Sequence, residues 1–153
     1  MTQLTSSKST NLVRLIYASQ SRQEITGDVL KEILLKAREK NQSSSISGML
    51  CFNKDYFLQV IEGSRLQINQ LYNKLLSDDR HTNVQLIGFS EVSQRHWSKW
   101  TMAYATPTQK NSAIFLQYSI SSEFNPYFLR AKSALMLLQD LAKQLETSEN
   151  QEV

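Results

Sequence analysis

The chain has 153 residues and a formal net charge of +3, with a mass of 17.6 kDa and a sequence pI near 9.0, which is the size of one domain with its own core plus short appendages. Hydrophobic residues make up 41% and charged residues 20%, an ordinary globular balance, and the basic residues are scattered among acids, which excludes a nucleic-acid patch built on a Lys/Arg block. The single cysteine, Cys51, excludes a disulfide framework and suits a reducing cytoplasm, and no apolar run approaches the ~20 residues of a membrane helix.

Residues 1–11 are Ser/Thr-rich without an apolar segment and read as a flexible lead-in, not a secretory signal. A first strand is predicted over Leu12 to Ser19. A helix follows, entered near Thr26-Gly27-Asp28, with Leu30, Ile33, Leu34, Ala37 and Asn41 along one side. Two strands come next, Ile46 to Phe52 and Tyr56 to Glu62, joined by a polar turn at Asn53-Lys54-Asp55. Ser64-Arg65-Leu66-Gln67 has the capping-box pattern, and a second helix carries Ile68, Leu71, Tyr72, Leu75 and Leu76 at amphipathic spacing. It should stop near Ser77 to His81. Strands over Val84 to Val92 and Trp100 to Thr106 complete a β-α-β-β-α-β-β order. That order predicts an α+β, ferredoxin-like sheet with two helices on one face. Both faces of the strands are apolar, so the second face needs a cover. The extension over 107–146 supplies it, with the apolar segment Ile114-Phe115-Leu116 and a helix opened by Asn125 and Pro126. Leu135, Leu138, Leu141, Ala142 and Leu145 form that helix's stripe. Residues 147–153 read as a frayed polar tail.

No pair of His, Cys, Asp or Glu shows familiar metal-ligand spacing, and Cys51 has no nucleophile motif around it. With four glycines and neither G-x-G-x-x-G nor a P-loop, a nucleotide held through its diphosphate is not predicted. Any cofactor should be gripped by its ring. The distinctive feature is Gln59, an amide within the apolar strand Phe57 to Glu62; alternation points it the same way as Phe57 and Ile61. Leaving its donors and acceptor unpaired would cost roughly 1–3 kcal/mol. Tyr17 on the first strand offers a phenol to meet it. Taken singly, Gln59 reads as a structural amide, Tyr17 as a core aromatic, Asn41 as a helix C-cap and Arg80 as a solvated turn residue. Trp100 and Met102, two apart in a predicted strand, should share a face. Together Tyr17, Asn41, Gln59 and Arg80 could border an apolar cleft between the two helices, which is what a flat heteroaromatic ring with polar edges requires.

In these residues the chain resembles the BLUF domain, a flavin-using blue-light sensor. The matching pieces are Arg14 to Ser19, Ile46 to Leu50, Phe57 to Gly63, Asp79-Arg80-His81 and Trp100-Thr101-Met102, in the family's order. The resemblance implies a flavin-binding domain over 12–106, and its tail is similar to that of short, single-domain members. It further implies noncovalent FAD between the helices, with FMN or riboflavin as alternatives. Asn41 would bind the ring's polar edge and Arg80 its pyrimidine end, with Ser19, Ile33, Lys40 and His81 completing the binding set. Tyr17 and Gln59 would form a light-driven relay, and Trp100 and Met102 would carry the signal out. Ala37 and Lys40 depart from residues common in the family. The expected partners are a downstream signalling or regulatory protein and further copies of the chain, with no direct nucleic acid and no membrane. Two other readings stay open: a small flavoprotein reductase or hydrolase, and a cofactor-free ferredoxin-like interaction module.

Overall fold

Alternating apolar residues build the strands and period-matched apolar rows build the helices of the computed structural model, which describes residues 11–151, with side chains through residue 147. The predicted lead-in, apart from Asn11, and residues 152–153 of the predicted tail lie outside the described residues. In chain order the elements are β1 (Leu12–Ser21), α1 (Gly27–Ser44), β2 (Ser47–Phe52), β3 (Tyr56–Ser64), α2 (Arg65–Leu76), β4 (His81–Glu91), β5 (Ala103–Ala105), α3 (Ser112–Tyr118), a 3-10 turn (Pro126–Phe128) and α4 (Ala131–Gln151). The sheet runs β4-β1-β3-β2-β5, with the two central strands β1 and β3 antiparallel and β5 parallel to β2. This is the predicted α+β, ferredoxin-like arrangement, extended by one short strand.

Period-2 alternation sorts the strand side chains into two cores. Leu15, Tyr17, Leu50, Phe57 and Ile61 pack beneath Leu34 of α1 and Ile68 of α2. Ile16, Met49, Cys51, Leu58 and Val60 meet Phe115 of α3 and Ala134, Leu137, Leu138 and Leu141 of α4. The sheet is therefore covered on both faces. The α4 stripe is spent on that cover, and among the described residues of α4 the large apolar side chain left exposed is Met136, at 40%. No helix among the described residues is long and apolar enough to cross a membrane.

Local chemistry fixes the boundaries. Thr26 Oγ1 accepts from the Val29 N–H at 3.4 Å and Ser64 Oγ from the Gln67 N–H at 3.2 Å, capping α1 and α2. Asn41 does not end α1; the helix continues to Ser44 and closes on Ser45, which takes the left-handed conformation at φ 55°. Gly48 lies so close to β3 that a Cβ there would sit 2.1 Å from the Val60 carbonyl oxygen, a position only glycine fills. Asn53 Oδ1 accepts from the Asp55 and Tyr56 N–H groups at 2.9 and 2.8 Å, making the predicted turn.

Three elements differ from expectation. Asn125 caps only a single 3-10 turn, because Leu129 is extended (φ −90°, ψ 138°) and interrupts the helix before α4 begins. The fourth strand begins earlier than predicted, at His81, and ends at Glu91. The fifth strand is three residues long, not seven: residues 100–102 leave the ladder, held instead by side chains from α1 and β3.

Candidate functional site

Register places Tyr17 of β1 directly opposite Gln59 of β3, the cross-strand geometry in which side chains meet. On its other side β1 slips register against β4 between Ile16 and Tyr17, a bulge of the kind that re-aims a side chain. The Tyr17 hydroxyl donates to Gln59 Oε1. The Gln59 amide N–H donates in turn to Met102 Sδ at 3.3 Å. Tyr17 is 3% and Gln59 8% exposed. Burial, with Asp78 nearby, pushes the Tyr17 phenol well above its ordinary pKa, so it is a proton donor at any physiological pH.

From α1, Asn41 Nδ2 donates to the Thr101 carbonyl at 2.9 Å. Arg38 grips the Met102 carbonyl through Nε and Nη2 at 3.2 and 3.1 Å. The predicted set had no place for Arg38; its position one helical turn before Asn41 is the signal that could have found it. From β4, His81 Nε2–H donates to the Leu75 carbonyl at 2.6 Å, since a carbonyl can only accept. Its other ring nitrogen, Nδ1, lies 2.9 Å from the Ser19 hydroxyl. The His81 ring packs edge-on to Tyr17 and Phe57. Arg80 closes on Asp78, with Nη2 to Oδ2 at 2.7 Å, and this bond holds the Asp78 carboxyl down at about 2.

A cavity of ≈ 400 Å³ opens between α1 and α2 above these groups, lined by Tyr17, Ile33, Ala37, Lys40, Asn41, Gln59, Arg80 and His81 among others. The sequence reading had not assigned to the site the wall residues Leu50, Phe57, Leu71 and Leu75, nor Lys36, Lys74, Ser77 and Asp78. Their signal was amphipathic spacing, which looks the same for a core and for a pocket wall. Ser19 is fully buried behind His81 and touches the cavity only through that ring. Trp100 is a correction. It packs with the α4 core while Met102 belongs to the core under α1 and α2, so the two do not share a face. Alternation fails there because residues 100–102 are not in a strand.

Volume and lining fit a flat ring with polar edges: pockets for such ligands run to roughly 300–1,000 Å³ with mostly apolar walls and a few placed polar groups. The second amide N–H of Gln59 and the side-chain carbonyl of Asn41 have no protein partner among the described residues and border that space. Both are free to meet a ligand.

The BLUF family model, described as sensors of blue light using FAD, matches residues 12–103. The chain is 32% identical over 98 residues to the photoactivated adenylate cyclase subunit beta of Euglena gracilis, which is 63% of this chain and 11% of that protein. It is 33% identical over 73 residues to the blue light- and temperature-regulated antirepressor BluF of Escherichia coli (strain K12), 48% of this chain and 18% of that protein. The chain thus spans only a small part of the length of these relatives. The photo-activated state of BlsA superposes with a TM-score of 0.74 at 28% identity, covering 85% of this chain and 94% of that one.

Proposed function

This chain belongs to the BLUF family of blue-light photoreceptors, and we propose from that premise that it binds FAD in the slot between α1 and α2 and signals to a protein partner without turning over a substrate. The observation that carries this reading is the buried chain Tyr17 O–H to Gln59 Oε1, Gln59 N–H to Met102 Sδ, set at the floor of the slot. Asn41 and Gln59 would hold the ring's polar edge, and Ile33, Ala37 and Leu75 its faces. Arg80 reaches the pyrimidine end if it exchanges Asp78 for the ligand.

When bound, a flavin would supply blue-light absorption and an electron-accepting excited state, and Tyr17 is the phenol placed beside the slot to answer it. The Tyr17 proton would then pass to Gln59 Oε1 along the bond the two residues already share. If the phenol regains the proton from Oε1, the amide would be restored and could settle rotated; if it takes one from Nε2 instead, Oε1 keeps the first and the amide would be left as its imidic tautomer. Rotation turns the carbonyl oxygen towards Met102 Sδ, and a thioether cannot donate, so that contact is lost. Segment 95–102 would carry the change. Met102 and Thr101 lie against α1 and β3, while Trp100 packs on the α4 core and Lys99 pairs with Glu146 at 2.7 Å. Output through α4 or the loops around it to a regulatory protein, in the cytoplasm, completes the proposal.

Purified protein reconstituted with FAD should be yellow and show a small reversible red shift under blue light, recovering in the dark. Tyr17→Phe and Gln59→Leu should each keep the flavin and lose the shift. A normal photocycle in either variant overturns the relay, and steady NAD(P)H oxidation in darkness would favour a reductase.

A further inference from the structure

The slot has an inner and an outer row. On α1 the half-buried or buried Ile33, Ala37 and Asn41 line its depth, while the exposed Lys36 and Lys40 line it one step towards solvent. On α2 Leu71 and Leu75 are inner and the exposed Lys74 is outer. The charges of this rim are unevenly spent. Lys36 pairs with Glu32 at 3.1 Å and Arg80 with Asp78. Lys40 and Lys74 have no acidic partner within ion-pair distance among the described residues, and the one carboxylate lining the cavity is already tied to Arg80. Two ammonium groups without an acidic partner, one from each helix, therefore line the outer part of the slot.

We propose that Lys40 and Lys74 form an anion subsite for the phosphate on the side chain of the bound ring, so that this chain selects phosphorylated flavins over riboflavin. The proposal rests on the flavin reading above and adds the ligand class. Phosphate recognition here is by side-chain charge: the chain has no glycine-rich loop to present backbone N–H groups. Lysine suits the task, since each ammonium is a point charge with three donors on a flexible stem. Because both groups are exposed, their pull on a phosphate is screened by salt, whereas ring contacts in the slot are not.

The test uses the full-length apo-protein titrated with riboflavin, FMN and FAD, followed by quenching of flavin fluorescence. At low salt FMN and FAD should bind at least about tenfold more tightly than riboflavin, and the gap should narrow at about 0.3 M NaCl. In the double variant Lys40→Gln/Lys74→Gln the gap should close to under about twofold, chiefly through weaker binding of FMN and FAD. Equal affinities in the unmodified protein, a gap that survives the double substitution, or a loss that falls equally on riboflavin would each overturn the subsite. If none of the three flavins binds, the flavin reading falls with it; if riboflavin binds as well as FMN, only the phosphate subsite does.

Discussion

The proposed relay of Tyr17 and Gln59 would need little beyond a phenol, an amide and their burial. In water a phenol and an amide exchange partners freely; here each is enclosed, and the amide's remaining contacts are a thioether and the cavity. A shift of one proton therefore changes the donor pattern facing the slot. Because burial raises the Tyr17 pKa, its contribution to stability is full below the ordinary phenol value and is lost only as pH rises through the higher folded value. The amplitude of the light-induced difference spectrum should accordingly stay flat from about pH 8 to about pH 10, where an exposed phenol begins to ionise. A fall across that range would mean that Tyr17 is open to solvent. Asp78 has the opposite sign: held at about 2 by Arg80, it stabilises above the ordinary carboxylate range and loses that contribution as pH falls through the folded value. The pair is solvent-accessible, with Arg80 43% exposed, so the effect is about 1 kcal/mol at most.

At the scale of elements, the short β5 depends on what precedes it. Glu62 of β3 is fully buried and accepts from Arg14 Nε at 3.0 Å and from the His96 and Trp97 N–H groups. Arg95 adds bonds to Ser47 Oγ at 2.8 Å and the Glu62 carbonyl at 3.1 Å, and Arg14 lies 5.5 Å from the centre of the Trp97 ring. This knot fixes the segment that delivers Met102 to Gln59. Removing one partner of a buried pair costs about 3–5 kcal/mol, so Glu62→Ala should lose about that much in denaturant unfolding and weaken the red shift in the protein that still folds. The knot also explains an element that sequence misjudged. Trp100 and Met102 alternate as a strand would, yet backbone and side-chain bonds from three other elements decide where each points.

For the whole molecule, the sheet divides two tasks. The face under α1 and α2 carries the slot, and the face under α4 carries the larger aliphatic core. Leu138 is fully buried on the α4 side. Leu138→Ala should cost about 2–5 kcal/mol in unfolding free energy while leaving the dark flavin absorption maximum in place. A displaced maximum would show that the two faces are not separate. With the α4 stripe covered, the search for a partner surface moves to the apolar side chains that remain outside, which include Ile120 and Phe128 in the α3–α4 connection.

The chain by itself determined the course of the first four strands, the two cores, the caps of α1 and α2 and the Tyr17–Gln59 pairing, because alternation and amphipathic period are local properties that survive unread tertiary context. Only the folded arrangement decided that Arg38 holds the Met102 carbonyl, that Arg80 is engaged by Asp78, that Ser19 sits behind His81, and that Trp100 and Met102 part to opposite layers. Arg80 and Asp78 are neighbours in one turn, but the other three depend on contacts between residues far apart in sequence, and Arg80, Trp100 and Met102 lie where no repeating backbone geometry projects side chains in a fixed direction.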